Sequence, residues 1–330
     1  MTPQIRRAGR PPGHRVALRA LAGAAAALAL ALPATAGPLF KKGDHAGEYH
    51  AFDDHSREDL RRIDLSGADL HSTRLVETNL KRANLAEARL TEAVLNRAKL
   101  ARANLRGATL DNAKLRKVQA YKADFNGASL VAAKASGAKL VGAIFVDANL
   151  TDVDLRKAQA KRARFDGAVL DGARLQRAKL QRTVFTGASL IEARLNKANL
   201  RHAQFQGAVL DGARLRAANL RDADFSGASL LGADLRRAKH AQRAVWIDAL
   251  YDADTRLPAG IDTSTMTFVF GLCENGDFQI DADRDGEADP CVAGQGAETP
   301  SPPTTPLPEP GLPAGLAGLA LLVWLSRRRD

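Results

Sequence analysis

Residues 78–100 read TNLKRANLAEARLTEAVLNRAKL, with a leucine at 80, 85, 90, 95 and 100 and a small residue two places before each of them. Followed outward in both directions, the register holds from Leu60 to Leu235 with an apolar residue at every fifth position. A period of five matches neither the 3.6 of an amphipathic helix nor the 2.0 of an alternating strand. A chain that turns every five residues does produce it. If each five-residue unit is one side of a square coil, its central Leu or Phe and the small residue two places earlier point inward. The other three residues meet water. Parallel neighbours about 4.8 Å above and below then satisfy the backbone N–H and C=O groups that a lone coil leaves open.

A second period supports four sides. Phe125, Phe145, Phe165, Phe185, Phe205 and Phe225 are twenty residues apart, one for each coil of four units. The same side carries Leu65, Leu85 and Leu105 before the rings and Val245 after them, so the aromatic column is expected to give way to smaller residues at both ends. Ala120 and Ala160 replace leucine on the preceding side, which leaves room for adjacent rings at constant core volume. Residues 56–245 make roughly nine and a half coils, a rod about 45 Å long at that spacing.

Units such as Ala83-Asn84-Leu85-Ala86-Glu87 and Ala193-Arg194-Leu195-Asn196-Lys197 resemble the A(D/N)LXX signature of the pentapeptide-repeat family, and the resemblance covers residues 56 to 245. It implies an all-β fold, a right-handed quadrilateral β-helix. To this the sequence adds a helical N-terminal signal and a helical C-terminal sorting or transmembrane segment. After the repeat, residues 249–262 (ALYDADTRLPAGID) resemble the AxYDxxTxxPxGxD segment that often closes such coils. Residues 246–265 are therefore expected to cap the end, with Trp246 and Tyr251 covering the last coil. His240 stands where a core leucine is due and marks a fraying coil.

Net charge is +11 and aromatic content 5%, which argues against one large irregular core and raises the case for an anionic partner. The register assigns each charge to a side. With the sides centred on Leu60, Leu65, Leu70 and Leu75 taken as first to fourth, residues 63–242 place 29 Lys or Arg and four acids on the fourth and first sides. The second and third sides hold three basic residues and thirteen acids. Two basic columns stand out: Arg82, Arg102, Lys122, Arg162 and Arg182 on the first side, and Lys114, Lys134, Arg174, Arg194 and Arg214 on the fourth. Stacked like charges repel and cost stability unless a counter-charge lies along the column. The basic sides point to a polyanion, such as an acidic polysaccharide, lipopolysaccharide or extracellular DNA, or to an envelope protein. Mimicry of DNA toward topoisomerases, known in the family, requires an acidic rod in the cytoplasm and does not fit a basic, exported chain.

Residues 1–36 read as a secretory signal: five arginines precede an apolar run from Ala20 to Leu32 and the small-residue triplet Ala34-Thr35-Ala36. Arg6-Arg7 lacks the hydrophobic context of a twin-arginine signal, which favours the general secretory route. Residues 37–55 form a leader in which His45, His50 and His55 lie five apart among acids. The cluster could hold a metal, but that spacing fits no helix face and no zinc pattern, so a solvated leader is the favoured reading.

Cys273 and Cys291 are the two cysteines, and an oxidising compartment lets them pair. Between them, in the module 266–293, runs Asp281-Ala282-Asp283-Arg284-Asp285-Gly286-Glu287-Ala288-Asp289. Its oxygen ligands at alternate positions and its glycine at the sixth suit a hard cation. The segment resembles a thrombospondin type 3 repeat, which implies Ca²⁺ held by the Asp281, Asp283, Asp285 and Asp289 side chains and the Glu287 carbonyl.

Residues 294–310 form a Pro- and Thr-rich linker. Pro308-Glu309-Pro310, the apolar run from Gly311 to Leu325 and the arginine cluster at 327–329 make up the segment 311–330 with its motif. Together they resemble a PEP-CTERM sorting signal, which implies an exosortase-like processing enzyme and transient tethering to the membrane. A permanent single-pass anchor is the alternative.

No phosphate-binding glycine loop, nucleophile triad or facing carboxylate pair is recognisable, and a filled coil offers no cavity. The sequence thus reads as an exported cell-envelope binding or structural protein without enzyme activity. A membrane-tethered scaffold for other envelope proteins is the second reading.

Overall fold

One hydrogen-bonding scheme repeats in every five-residue unit of the computed structural model, which describes residues 45–272 and 278–280. Around Leu65, the leucine carbonyl accepts the N–H of Ala68 at 3.2 Å and closes a four-residue turn. Gly67, the third residue of that turn, has φ 65°, the left-handed backbone that a type II turn demands. The same conformation recurs at this position whatever the side chain: φ is 59° at Arg82, 58° at Glu87, 53° at Lys122 and 57° at Arg182. Left-handed backbone costs an L-residue about 1–2 kcal/mol, so the coil imposes it on charged residues and glycine relieves it.

Stacking supplies the compensation. Leu65 N–H donates to Asn84 O at 2.7 Å, Gly67 N–H to Ala86 O at 2.7 Å, and Asn84 N–H back to Ile63 O at 2.9 Å. Parallel bridges run with a constant displacement of twenty residues from Tyr49↔Asp69 to Asn219↔Lys239. Five residues per side and twenty per rung give a four-sided β-helix. The ladder takes in His45, whose N–H donates to Asp64 O at 2.9 Å. The coil therefore begins well before residue 56, and the segment around the three histidines is not a solvated leader.

The interior is filled by the residues the period selects. Leu65 to Leu115 at steps of five, and the alanines two places before most of them, are buried. The second residue of the unit has its own role. Asp64 Oδ1 accepts the N–H of Ser66 at 2.9 Å, and Asp124 and Asp224 do the same for Asn126 and Ser226 at 3.0 Å. This side chain satisfies a turn N–H that the coil leaves open, the habit that makes Asp and Asn turn residues.

The six phenylalanines stack with ring centroids 4.7–5.2 Å apart and planes within 9° of parallel. Trp246 extends the stack, 4.6 Å from Phe225 at 5°. The expectation that Val245 continues the column fails: Val245 is 40% exposed and Trp246 5%. The cause lies at His240, which has φ 58° and leads into a 3₁₀ turn, Ala241–Arg243. That turn inserts one residue, so the next two bridges, Asp224↔Val245 and Ser229↔Leu250, are displaced by twenty-one, and Asp234↔Arg256 after them by twenty-two. Trp246 Nε1 donates to Ala241 O at 3.1 Å and locks the shift.

Beyond the slip, the third side passes into an ordinary sheet. Strand β1 (Leu250–Tyr251) pairs parallel with β2 (Thr267–Leu272), which pairs antiparallel with β3 (Phe278–Ile280). Asp252 and Thr255 explain the closing segment. Asp252 Oδ1 accepts the N–H groups of Thr255 and Gly232, both at 2.8 Å, and the Thr255 hydroxyl lies 2.9 Å from Leu230 O. The cap is thus bonded to the last regular coil, which does not end at residue 245: Asp234 still bridges Arg256.

Two substitutions separate the turn from the core. A Cβ at Gly187 (φ 63°) meets nothing within 4 Å, so Gly187→Ala isolates backbone strain and should cost about 1 kcal/mol or slightly more in urea denaturation. Phe165→Ala empties the middle of the ring stack and should cost about 3–5 kcal/mol by the same measurement.

Candidate functional site

The rungs that align the backbone also align the charges. Lys114 bridges Lys134, and Arg174, Arg194 and Arg214 bridge in succession, so five members of the fourth-side column project from stacked positions. Asp154 stands between Lys134 and Arg174, and Asp234 follows Arg214. These carboxylates are the counter-charges that such a column requires. The first-side column, Arg82, Arg102, Lys122, Arg162 and Arg182, occupies the left-handed turn corner in each of its coils. That corner turns the side chain outward, and all ten cations are exposed.

The four acids of the basic sides are each engaged by arginine. Glu77 is paired with Arg97 at 3.1 Å and Arg57 at 3.5 Å, and Asp154 with Arg156 at 2.7 Å. Asp222 is paired with Arg243 at 3.0 Å, and Asp234 with Arg236 at 2.8 Å. The Arg97 hydrogen bond holds the Glu77 carboxyl below its ordinary range. Burial opposes the charge of Asp154, but the Arg156 hydrogen bonds, with the charges of Arg156 and Arg174, outweigh it and lower that carboxyl too. None of the ten column cations makes an ion pair within 4.0 Å among the described residues. Their charge is available at the surface.

On the acidic sides several carboxylates are used internally. Asp111, Asp171 and Asp211 each accept a serine hydroxyl at 2.5 Å and the backbone N–H of a residue one coil on at 3.0–3.1 Å. Burial is the main cause that pushes the Asp171 and Asp211 carboxyls up, against the pull of those hydrogen bonds. The two pairs of sides therefore differ in more than sign: one presents exposed cations, while the other binds part of its acids into the coil.

The remaining site residues from the sequence, Asp281, Asp283, Asp285, Glu287, Asp289, Cys273, Cys291, Pro308, Glu309 and Pro310, lie outside the described residues, as do the expected helical segments at both ends. Among the described residues no helix is long and apolar enough to cross a membrane. A recess of about 350 Å³ lies at the register slip beside Trp246, Val245 and Ile247, and Asp262 is the one acid in its lining, so it assembles no acid and base pair. His240 stands exposed at the slip.

Sequence reasoning singled out the histidines but placed them in a solvated leader. His45, His50 and His55 occupy the core register, with carboxylates at the alanine positions between them. The signal was present, since 45, 50 and 55 belong to the same series as 60 and 65.

The fold and its turn chemistry define a four-sided β-helical solenoid built from five-residue units. The pattern described as pentapeptide repeats matches the chain in eight copies, at residues 63–100, 88–127, 128–167, 168–206 and 203–239. The chain belongs to the pentapeptide-repeat family. Among solved structures it is similar to HetL, a pentapeptide repeat protein involved in heterocyst differentiation regulation in the cyanobacterium Nostoc sp. strain PCC 7120. The two are 29% identical, the match covers 58% of this chain and 89% of HetL, and the TM-score is 0.53. It is also similar to alr5209 from Nostoc PCC 7120, at 36% identity over 30% of this chain and 84% of that one, TM-score 0.30. A third is a pentapeptide repeat protein from the Arabidopsis thaliana thylakoid lumen, at 30% identity over 34% and 71%, TM-score 0.19. No curated protein matches the chain.

Asp211→Asn tests the electrostatic asymmetry. Because the folded carboxyl titrates above its ordinary value, the fold favours the protonated form, and wild-type stability falls as pH rises from about 4 through the folded value. Asparagine cannot ionise, and Asn196 already accepts a backbone N–H from the next coil at 3.2 Å in the same way. The variant should therefore melt higher than wild type at neutral pH, with the difference vanishing toward pH 4.

Proposed function

We propose that the protein is an exported cell-envelope binding protein whose rigid rod presents its fourth and first sides to a polyanion. The observation that supports this most directly is the pair of exposed columns, Arg82 to Arg182 and Lys114 to Arg214, whose cations make no ion pair within 4.0 Å among the described residues while nearby acids are paired with other arginines. A linear polyanion offers charges at regular intervals and releases counter-ions on binding, so a straight cationic stripe suits it. Acidic polysaccharide, lipopolysaccharide and extracellular DNA share this chemistry. The interior is packed with Leu, Ala and Phe, and the family is one of structural and binding proteins, so the reading is non-catalytic.

Export, a right-handed coil, calcium at residues 281–289, a Cys273–Cys291 disulfide, and sorting through Pro308-Glu309-Pro310 complete the proposal on sequence grounds. In this picture the linker and the terminal segment tether the rod during processing by an exosortase-like enzyme. The second reading, a tethered scaffold for other envelope proteins, uses the same sides against a protein partner.

Binding to heparin and to duplex DNA, measured against salt, tests the polyanion. Affinity should fall steeply and linearly on a log–log plot. Arg162→Gln with Arg182→Gln should weaken binding and reduce the slope by about one to two, as expected for two lost contacts, while Glu87→Gln on the second side should leave it intact. Affinity that is indifferent to salt, or to the arginine pair, would sink the reading.

A further inference from the structure

The first described coil breaks the rule that governs the rest of the interior. Its inward positions hold His45, His50 and His55 in place of leucine, with Glu48, Asp53 and Glu58 where alanine usually stands. His55 is fully buried, and the His50 side chain is 13% exposed. In the coil beneath, the buried Thr73 and Thr78 donate their hydroxyls to the His50 and His55 carbonyls, each at 2.7 Å. The backbone carrying both rings is thereby held from below.

The rings are oriented as a pair. His50 Nε2 lies 2.9 Å from Glu48 Oε2, and His55 Nδ1 lies 3.3 Å from Glu58 Oε1. With the ring protons on those nitrogens, each histidine donates to its own carboxylate, and its other nitrogen is an acceptor. Both of these acceptors turn toward one atom, Asp53 Oδ2: His50 Nδ1 at 3.4 Å and His55 Nε2 at 3.7 Å. Two imidazole nitrogens and a carboxylate oxygen are thus gathered within 4.8 Å of one another, an arrangement that a cation stabilises.

The spacing identifies the cation. Bonds of about 2.0–2.1 Å in a tetrahedron put neighbouring donor atoms about 3.4 Å apart. The two edges to Asp53 Oδ2, 3.4 and 3.7 Å, lie close to that length. The neighbouring group does not, because His45 Nδ1 and His50 Nε2 approach Glu48 Oε2 to 2.7 and 2.9 Å, which are hydrogen-bond lengths. We propose that His50 Nδ1, Asp53 Oδ2 and His55 Nε2 bind a first-row divalent cation, with zinc the best match to two imidazoles and one carboxylate. Glu48 and Glu58 fix the ring orientation, as carboxylates behind metal-bound histidines do. Three protein donors leave the fourth position for water or a further ligand. The site is independent of the basic sides and of the oxygen-only loop at 281–289.

The full chain, stripped of metal with EDTA and carrying no polyhistidine tag, is titrated with zinc chloride by calorimetry, and its metal content is measured after gel filtration. One zinc per chain at micromolar affinity or tighter is expected. Asp53→Asn and His55→Gln should abolish it, Glu58→Gln should weaken it about 10–100-fold, and His45→Ala should retain it. Because Asp53 lies at the rim, with its side chain 37% exposed, Asp53→Asn keeps the test meaningful if the buried His55 variant does not fold. Cobalt in place of zinc should give the visible absorption of a tetrahedral ion in wild type and not in Asp53→Asn. Absence of zinc binding, zinc retained by a folded Asp53→Asn, or binding lost in His45→Ala but kept in Asp53→Asn would each overturn the assignment.

Discussion

The coil depends on main-chain hydrogen bonds that join each side to the chain one full turn later, such as Phe165 N–H to Val184 O at 2.8 Å and Gly167 N–H to Thr186 O at 3.0 Å. Each contributes only about 1 kcal/mol net. Repeated on every side of every coil, they outweigh the left-handed backbone that each turn imposes on residues as unsuited to it as Arg82 and Glu87. They also fix the displacement at twenty residues. A residue's position in that count then decides whether it is inside or outside, and on which side, so the phenylalanine stack and the separation of charge are consequences of one constraint.

Much of this was legible because the constraint writes itself into sequence as a period. The buried leucines and alanines, the phenylalanine column and the basic columns follow from counting. Two features did not, each for a physical reason. At His240 one inserted residue passes through a 3₁₀ turn, and counting by five then selects Val245, although burial favours the larger ring of Trp246 one place on. At the other end the count was right and the chemistry misled: His45, His50 and His55 are polar, so they were read as solvated, while the ladder through Asp64, Asp69 and Arg74 holds them inward. The role of Asp64 and Asp124 in capping their own turns is a matter of side-chain geometry that a repeat signature records without explaining.

Charge separation of this kind is tolerated because the two pairs of sides manage it differently. Exposed ion pairs such as Arg156–Asp154 and Arg236–Asp234 contribute little individually, but they interrupt columns that are otherwise uniformly positive. On the acidic sides, Asp171 and Asp211 exchange solvation for hydrogen bonds to serine and to the next coil, and their raised titration is the cost of that exchange. The basic sides keep their cations solvated and extended. An anion approaching the rod therefore meets solvated charge on the basic sides.

The described ends of the coil meet the same difficulty, since a stacked ladder and a filled core cannot simply stop in water. At the C-terminal end the solution is apolar: Trp246 terminates the ring stack, Met266 joins the core, Val269 is buried, and β2 and β3 continue the third side as a sheet. The first described coil takes the opposite course, since no further coil among the described residues stacks on its outer side. Its inward positions carry histidines and carboxylates in place of leucine and alanine, with His55 fully buried, so these polar groups must satisfy one another. Hydrogen bonds from His50 to Glu48 and from His55 to Glu58 meet half of that demand. The nitrogens facing Asp53 make up the other half, and a cation shared among them would tie the third and fourth sides of that coil together, coupling its order to metal.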